Sequence, residues 1–389
     1  AEMRRGELRV LQGNRDDALV HIDRAAALVA DAPLSSSKAF VTSSISRFQM
    51  LAGRSEEAIR IGDEALEMAE ELGLDELRAH ALDNIGVAKT QMGDLSGLDD
   101  LRRSIAISSE LNSPETRRGL NNLATTLRTL GDLTAAEPLY RKALVVAERF
   151  GVVTDISWCR AQVASLAFYA GRWDEPAAEL DELIAEFAQG TPHYMEVSCR
   201  YYRSLIHLAC GDLDGAADDA STFVERAEGI KDPQVLYWAR AGAARVFYSV
   251  GRPNDAELQV NRLLADVGTE GTHEPAHYWV LDLAIAMFAT GRAGDFLERL
   301  PALGPSTRWA EAAELWAQGE FERAAEVLEE IGARPDEALA RLRAAERLAG
   351  SGGRRAEADE QLRKALTFFR SVGATRYIRE GEALLAAAS

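Results

Sequence analysis

A phrase that returns about every forty residues restricts this chain more than any other feature. It consists of a helix-compatible run, a Gly usually followed by Asp or Arg, and commonly a small residue five places on. The glycines are Gly13, Gly53, Gly93, Gly131, Gly171, Gly211, Gly251, Gly291, Gly319 and Gly353, at intervals of 40, 40, 38, 40, 40, 40, 40, 28 and 34. A fixed interval of that length marks stacked structural units. Seven residues before the glycines from Gly53 to Gly319 stand Ser46, Gly86, Ala124, Ala164, Ser204, Ala244, Ala284 and Ala312, and only the last repeat breaks the rule, with Glu346. A small side chain at one fixed place lets two helix backbones come close, so the register predicts tight helix–helix packing.

Each unit reads as helix, tight turn, helix. The Gly supplies a left-handed C-cap, and a following Asp such as Asp94, Asp132 or Asp212 can cap the second helix. Apolar residues recur at helical spacing, as in Leu120, Leu123, Ala124 and Leu127, and no β-branched alternation bounded by hairpin turns occurs. The expected fold is all-α: an α-α superhelix, or solenoid, of about ten helix-turn-helix repeats with a period near 40 residues. Pro301-Ala302-Leu303-Gly304-Pro305 interrupts the pattern where the interval drops to 28. Residues 1–300 are therefore expected to form repeats one to eight, and residues 301–389 a C-terminal helical part beyond the break.

The paired helices, the small residue seven before the turn Gly and the Ala five after it resemble the tetratricopeptide repeat in a longer form. GDLTAAEPLYRKALVVAERFG (131–151) carries the resemblance best, with Asn121-Asn122-Leu123-Ala124 in the helix before it. The tail FFRSVGATRYIREGEALLAAAS (368–389) looks like the closing segment of large bacterial regulators. Those join tetratricopeptide arrays to an ATPase and either a cyclase or a DNA-binding domain. The resemblance implies a non-catalytic interaction or scaffold module in signal transduction or transcriptional regulation. It would bind a protein or peptide partner in its concave groove, with a small-molecule effector as the alternative and self-association through the array ends also open. The chain starts at Ala1 without an initiator Met, so a longer polypeptide is expected.

Charge and cysteine content narrow the partners. The net charge is −18, from 62 acidic and 44 basic residues, although Ser351–Ser389 carries seven Arg/Lys against five Asp/Glu. Nucleic-acid affinity comes from dense basic surface that displaces phosphate counterions, so no nucleic-acid partner is expected for this region. The most apolar stretch, Val280 to Ala289, is too short for a membrane span, and AEMRRGELRV lacks the apolar core of a secretory signal. Three cysteines, Cys159, Cys199 and Cys210, make no disulfide framework, and a reduced cytoplasmic setting is the expectation. Cys159 and Cys199 fall at equivalent places in adjacent repeats, which predicts packed small hydrophobes.

Enzyme-like patterns give way to the repeat frame. His273-Glu274-Pro275-Ala276-His277 matches H-E-x-x-H, which needs both His one turn apart on one helix. Here Pro275 fits the first position of a helix, leaving His273 ahead of it and His277 in its first turn, so no metal is expected. Ser35-Ser36-Ser37-Lys38 reads as a helix cap rather than a nucleophile motif, and Asp212-Leu213-Asp214-Gly215 as a repeat turn rather than a calcium loop. The sequence offers no nucleotide-binding glycine pattern and no nucleophile elbow, so neither a cofactor nor an enzymatic activity is expected.

Stacked repeats present their first helices on the concave side. On those helices the inward positions fall thirteen, ten, six, three and two residues before each Gly. In repeats three and four they hold His80, Asp83, Thr90, Gln91, Arg118, Asn121, Thr125 and Arg128. In repeats five to eight they hold Trp158, Phe168, Tyr169, Tyr201, Leu205, Leu208, Trp238, Arg245, Tyr248, Tyr278, Leu281, Ile285 and Phe288. Residues 155–290 carry 16 of the 27 aromatics, and aromatics with Arg supply binding hot spots. The expected groove is therefore made of Trp158, Phe168, Tyr169, Tyr201, Trp238, Arg245, Tyr248, Tyr278 and Phe288. Asn121 and Asn122 resemble part of the carboxylate clamp of peptide-binding relatives, but its lysines are missing, and a C-terminal peptide specificity is not expected.

Overall fold

The computed structural model describes residues 1–11, 15–190, 193–267, 278–350 and 354–387. Among them are 21 α-helices and no strand. They run in pairs, α1 (Glu2–Leu11) and α2 (Arg15–Val29), α3 (Ser36–Leu51) and α4 (Ser55–Glu71), α5 (Asp75–Gln91) and α6 (Gly97–Glu110), α7 (Glu115–Leu130) and α8 (Leu133–Phe150). Then follow α9 (Val153–Tyr169) and α10 (Asp174–Gln189), α11 (Glu196–Cys210) and α12 (Leu213–Ile230), α13 (Pro233–Ser249) and α14 (Pro253–Asp266). The last are α15 (Tyr278–Ala289) and α16 (Ala293–Arg299), α17 (Arg308–Ala317) and α18 (Phe321–Ile331), α19 (Arg334–Gly350) and α20 (Arg355–Ser371), closed by α21 (Thr375–Ala387). The chain is an α-α solenoid of tetratricopeptide-like repeats.

The turns form as the glycine register requires. All eight turn glycines from Gly53 to Gly319 have positive φ, between 71° and 91°, which L side chains adopt only with strain. Asp132 and Asp212 cap their helices by accepting from Ala135 N and Gly215 N. Asp94 differs: it accepts from Ser96 N, inside a turn that delays α6 to Gly97. Ser35 accepts from Lys38 N, the role of a cap. The small-residue register is packed as expected, with Ser46, Ala124, Ser204, Ala244, Ala284 and Ala312 buried. The closest approach joins α5 to α6, where a Cβ on Gly97 would collide with the Gly86 carbonyl oxygen.

One hydrophobic core runs without interruption from Ala124 to Tyr377. The Pro/Gly break at 301–306 appears as a short 3-10 turn, Leu300–Ala302, followed by buried Leu303, and the core passes through it. The reason is a closure of the superhelix that the period alone does not announce. Helices α17, α19 and α21 return to the turn ends of first helices from repeats four to seven. Trp309 Nε1 donates to Arg128 O at 2.8 Å, Arg334 Nη1 to Ala170 O at 3.1 Å, Thr375 Oγ1 to Cys210 O at 2.6 Å and Arg376 Nη2 to Ser249 O at 2.9 Å. The last three bonds satisfy carbonyls that a helix C-terminus leaves unpaired, Arg128 O also accepts from Gly131 N, and the arginines face the negative end of the helix dipole.

Candidate functional site

The inner face encloses a cavity of about 340 Å³. The residue thirteen before the turn glycine lines it in every repeat from four to eight: Arg118, Trp158, Ser198, Trp238 and Tyr278. The two walls differ in chemistry. On one side stand Arg47 of α3, Gln91 of α5, and Arg117, Arg118, Asn121, Asn122 and Arg128 of α7. On the other stand Trp158 of α9, Tyr194 just ahead of α11, Trp238 of α13 and Tyr278 of α15.

The aromatic wall is held by hydrogen bonds as well as packing. Trp158 stacks on Tyr194 with centroids 5.4 Å apart and planes 17° from parallel. Its indole Nε1 donates to Asn121 Oδ1 at 3.2 Å, and the Tyr194 hydroxyl donates to Asp232 Oδ2 at 3.0 Å. Asp232 also accepts from Gln234 N, fixing the start of α13. These bonds set the ring orientations before any ligand arrives, which lowers the entropic cost of binding.

The cationic wall is neutralised unevenly. Arg118 Nη2 lies 2.6 Å from Asp83 Oδ2 and also reaches Asn84 Oδ1, while Asn122 Nδ2 donates to the same Asp83 oxygen at 2.7 Å. Arg117 pairs with Asp155 at 3.2 Å. Arg128 donates to Gln162 Oε1 at 3.1 Å and lies 4.5 Å from the Tyr278 ring centroid, a cation–π contact. No ion pair reaches Arg128 among the described residues. Arg47 has neither a hydrogen bond nor an ion pair with any described residue. Burial, and then the nearby Arg118 guanidinium, push its pKa down to about 10, so it stays charged at neutral pH.

Behind this wall His80 is buried, with Nδ1 accepting from Ser43 Oγ at 2.6 Å and from Asn84 Nδ2 at 3.4 Å. Burial, then the positive field of Arg118, Arg47 and Arg4, hold the ring well below its ordinary pKa. A folded-state pKa below the unfolded one costs nothing above about pH 6.5, where both states are neutral. Below that pH the unfolded chain takes a proton that the folded ring refuses. Stability is then lost at up to about 1.4 kcal/mol per pH unit. Urea melts of wild type and His80→Gln at pH 7.5, 6.0 and 5.0 should show a shallower acid loss in the variant. Parallel losses would contradict this account.

Of the nine expected groove residues, Trp158, Trp238 and Tyr278 line the cavity. Phe168, Tyr169, Tyr201 and Arg245 do not; they are buried at 3%, 2%, 2% and 7% exposure. The returning C-terminal helices cover the inward positions near the turn, so Tyr169 packs on Trp309 at 5.9 Å and Arg245 pairs with Asp282 and Asp336. Tyr248 and Phe288 are exposed near the turns and outside the cavity lining, Phe288 lying edge-on to Phe321 at 5.3 Å. Trp158, Trp238 and Tyr278 share the position thirteen before the turn glycine, the end of the inner face that closure leaves open. Arg47, Arg117, Gln162 and Tyr194 were missed. Arg47 stands in the same register, six before Gly53, in repeat two.

Cys159 and Cys199 are buried, and burial pushes their thiols up to about 11 and about 12, the behaviour of packed hydrophobes rather than reactive thiolates. The His273–His277 stretch, with Pro275 as its helix start, lies outside the described residues. No helix among the described residues is long and apolar enough to cross a membrane.

Fold and cavity together define a repeat scaffold with a walled recess on its inner face. Comparisons with known proteins agree with the scaffold. The tetratricopeptide repeat model matches residues 116–149, which cover most of α7 and α8. A solved Rap protein complexed with competence and sporulation factor is similar at a TM-score of 0.56 and 16% identity, over 68% of this chain and 73% of that one. NprR in complex with its cognate peptide NprX is similar at 0.56 and 10%, over 85% and 97%. The apo form of the quorum sensor NprR from B. thuringiensis follows at 0.50 and 11%, over 94% and 97%. At these identities the likeness concerns the fold. No curated protein matches the sequence.

Proposed function

We propose that this chain is a non-catalytic receptor module that binds a short peptide in its concave cavity, as the sensing part of a larger signalling or transcriptional regulator. The observation that carries the reading is the pairing of a preset aromatic wall with an amide- and guanidinium-bearing wall across one recess. Asparagine, glutamine and arginine side chains can read a peptide backbone, and the Trp158–Tyr194 stack offers a flat apolar face for a side chain. About 340 Å³ lies at the small end of the range for ligand pockets, about 300–1,000 Å³, and suits a few residues rather than a folded partner. Two proteins of similar fold were solved in complex, Rap with competence and sporulation factor and NprR with its cognate peptide NprX.

Affinity selection with a hexapeptide library tests the reading directly. Selected peptides should lose about tenfold to a hundredfold in affinity for Trp158→Ala, the scale of an aromatic hot spot, measured well below the variant's Tm. A peptide that binds the variant as tightly as wild type does not use this cavity. The enclosed volume also favours a second reading, a small-molecule effector. A metabolite screen by thermal shift would show saturable stabilisation in that case, while the peptide library would yield nothing.

A further inference from the structure

Arg47 stands apart from every other arginine in the cavity. Arg118 is neutralised by Asp83, Arg117 by Asp155, and Arg128 is satisfied by Gln162 and the Tyr278 face. Arg47 has no partner among the described residues, although it is half-buried on the recess wall beside apolar Met50, Leu51 and Val87. Glu7, Asp83 and Glu115 contribute to its field, but none forms an ion pair with it. A partly desolvated guanidinium without a counter-charge is a cost to the fold, and such groups persist where a ligand supplies the missing charge.

We propose that Arg47 donates to a single carboxylate of the bound ligand, so that the cavity selects peptides carrying one acidic group apart from an apolar side chain. This rests on the peptide reading above and adds a ligand class to it. The guanidinium fork matches a carboxylate in two parallel hydrogen bonds. Arg47 is the one cation on this side of the cavity with no hydrogen bond, ion pair or ring contact among the described residues, and it matches one negative charge. Arg47 is on α3 and the Trp158–Tyr194 stack on α9 and the segment before α11, with the lining helices α5 and α7 between them in chain order, so acid and apolar group are separated along the ligand. The carboxylate can come from the peptide C-terminus or from an Asp or Glu side chain, and the register of Arg47 does not depend on which.

Three fluorophore-labelled hexapeptide pools distinguish the sources, each with a fixed Leu and otherwise Gly, Ala and Ser. The first is amidated and neutral, the second has a free C-terminal carboxylate, and the third is amidated with one Glu. Anisotropy titrations should show the second or the third binding wild type about tenfold or more tighter than the first. The tighter pool identifies the source. Arg47→Gln should erase that advantage, bringing the acidic pools to the affinity of the neutral one in the same variant. If all three pools bind wild type equally, the Arg47 assignment fails while the peptide reading stands. If none binds, both fail. A ligand-free measurement gives an independent check. Arg47→Met should raise Tm by about 1–3 °C, because an unpaired guanidinium is removed, and a fall in Tm would show that Arg47 already has a stabilising partner.

Discussion

Replacing Arg245 by Met should cost the fold about 3–5 kcal/mol, the scale observed when one partner is removed from a buried ion pair. Arg245 Nη1 lies 2.7 Å from Asp282 Oδ1 and 2.8 Å from Asp336 Oδ1, and the aspartates are 1% and 4% exposed. Asp282 further accepts from the Tyr201 hydroxyl at 2.6 Å. Without the guanidinium, two carboxylates face each other in a low-dielectric interior, and at least one must take up a proton or the region must open. The variant should therefore carry a pH signature. Burial already raises the Asp282 pKa, and losing Arg245 raises it further. A carboxyl whose folded pKa is raised destabilises the fold most above that pKa, and the penalty disappears as pH falls towards the unfolded value of about 3.9. The gap in denaturation free energy between wild type and Arg245→Met should narrow from pH 7.5 to pH 5.0. Adding Asp282→Asn and Asp336→Asn should recover most of the loss. A gap below about 1 kcal/mol at pH 7.5, or one that widens in acid, would mean that water screens the triad.

Arg245 also shows where sequence reasoning stops. Its place six residues before Gly251 predicts the inward side of α13, and an inward arginine among aromatics reads as a ligand contact. The residue that turns it into a core group is Asp336, in a different repeat 91 positions further on. The same holds for Tyr169, which meets Trp309, and for Tyr201, which meets Asp282, whereas Phe168 is covered by Trp173 and Tyr202 of its own and the next repeat. Periodicity reports what is local: left-handed turns at Gly53 to Gly319, buried small residues at Ser46 to Ala312, and helices on either side. Those contacts join neighbours in sequence. Closure depends on the curvature added up over several repeats, and no single residue encodes it.

The cationic wall was hidden for a different reason. A net charge of −18 describes the average surface, whereas Arg47, Arg118 and Arg128 occupy inward positions and are removed from that average. Their register was visible: Arg118 and Arg128 stand thirteen and three before Gly131, and Arg47 six before Gly53. What could not be read was which of them meet an acid. Asp83, which neutralises Arg118, is itself an inward residue of the preceding repeat, and neutralisation is a matter of side-chain geometry rather than spacing.

Trp309→Ala should be comparably damaging, at about 3–5 kcal/mol for a fully buried indole, and should also change how the molecule unfolds. Repeat arrays ordinarily contact only neighbouring units, so their stability adds up along one dimension. Here Trp309 donates to the carbonyl of Arg128, 181 residues earlier, and its ring meets Tyr169 and Tyr278 at 5.9 and 6.4 Å. It thereby couples repeat nine to repeats four, five and eight. Truncation leaves a cavity where these repeats meet, and the Arg128 carbonyl keeps only its bond from Gly131 N. Wild type should unfold in one transition by calorimetry. Trp309→Ala should separate into an early transition for the C-terminal repeats and a later one for the rest. Trp309→Phe keeps most of the ring and loses the donor, and should cost about 1–2 kcal/mol with the single transition preserved. Because Arg128 and Tyr278 belong both to this contact and to the cavity lining, peptide affinity should fall in Trp309→Ala even well below its melting temperature. A single, barely shifted transition in that variant would show that the C-terminal repeats rest on the array without holding it closed.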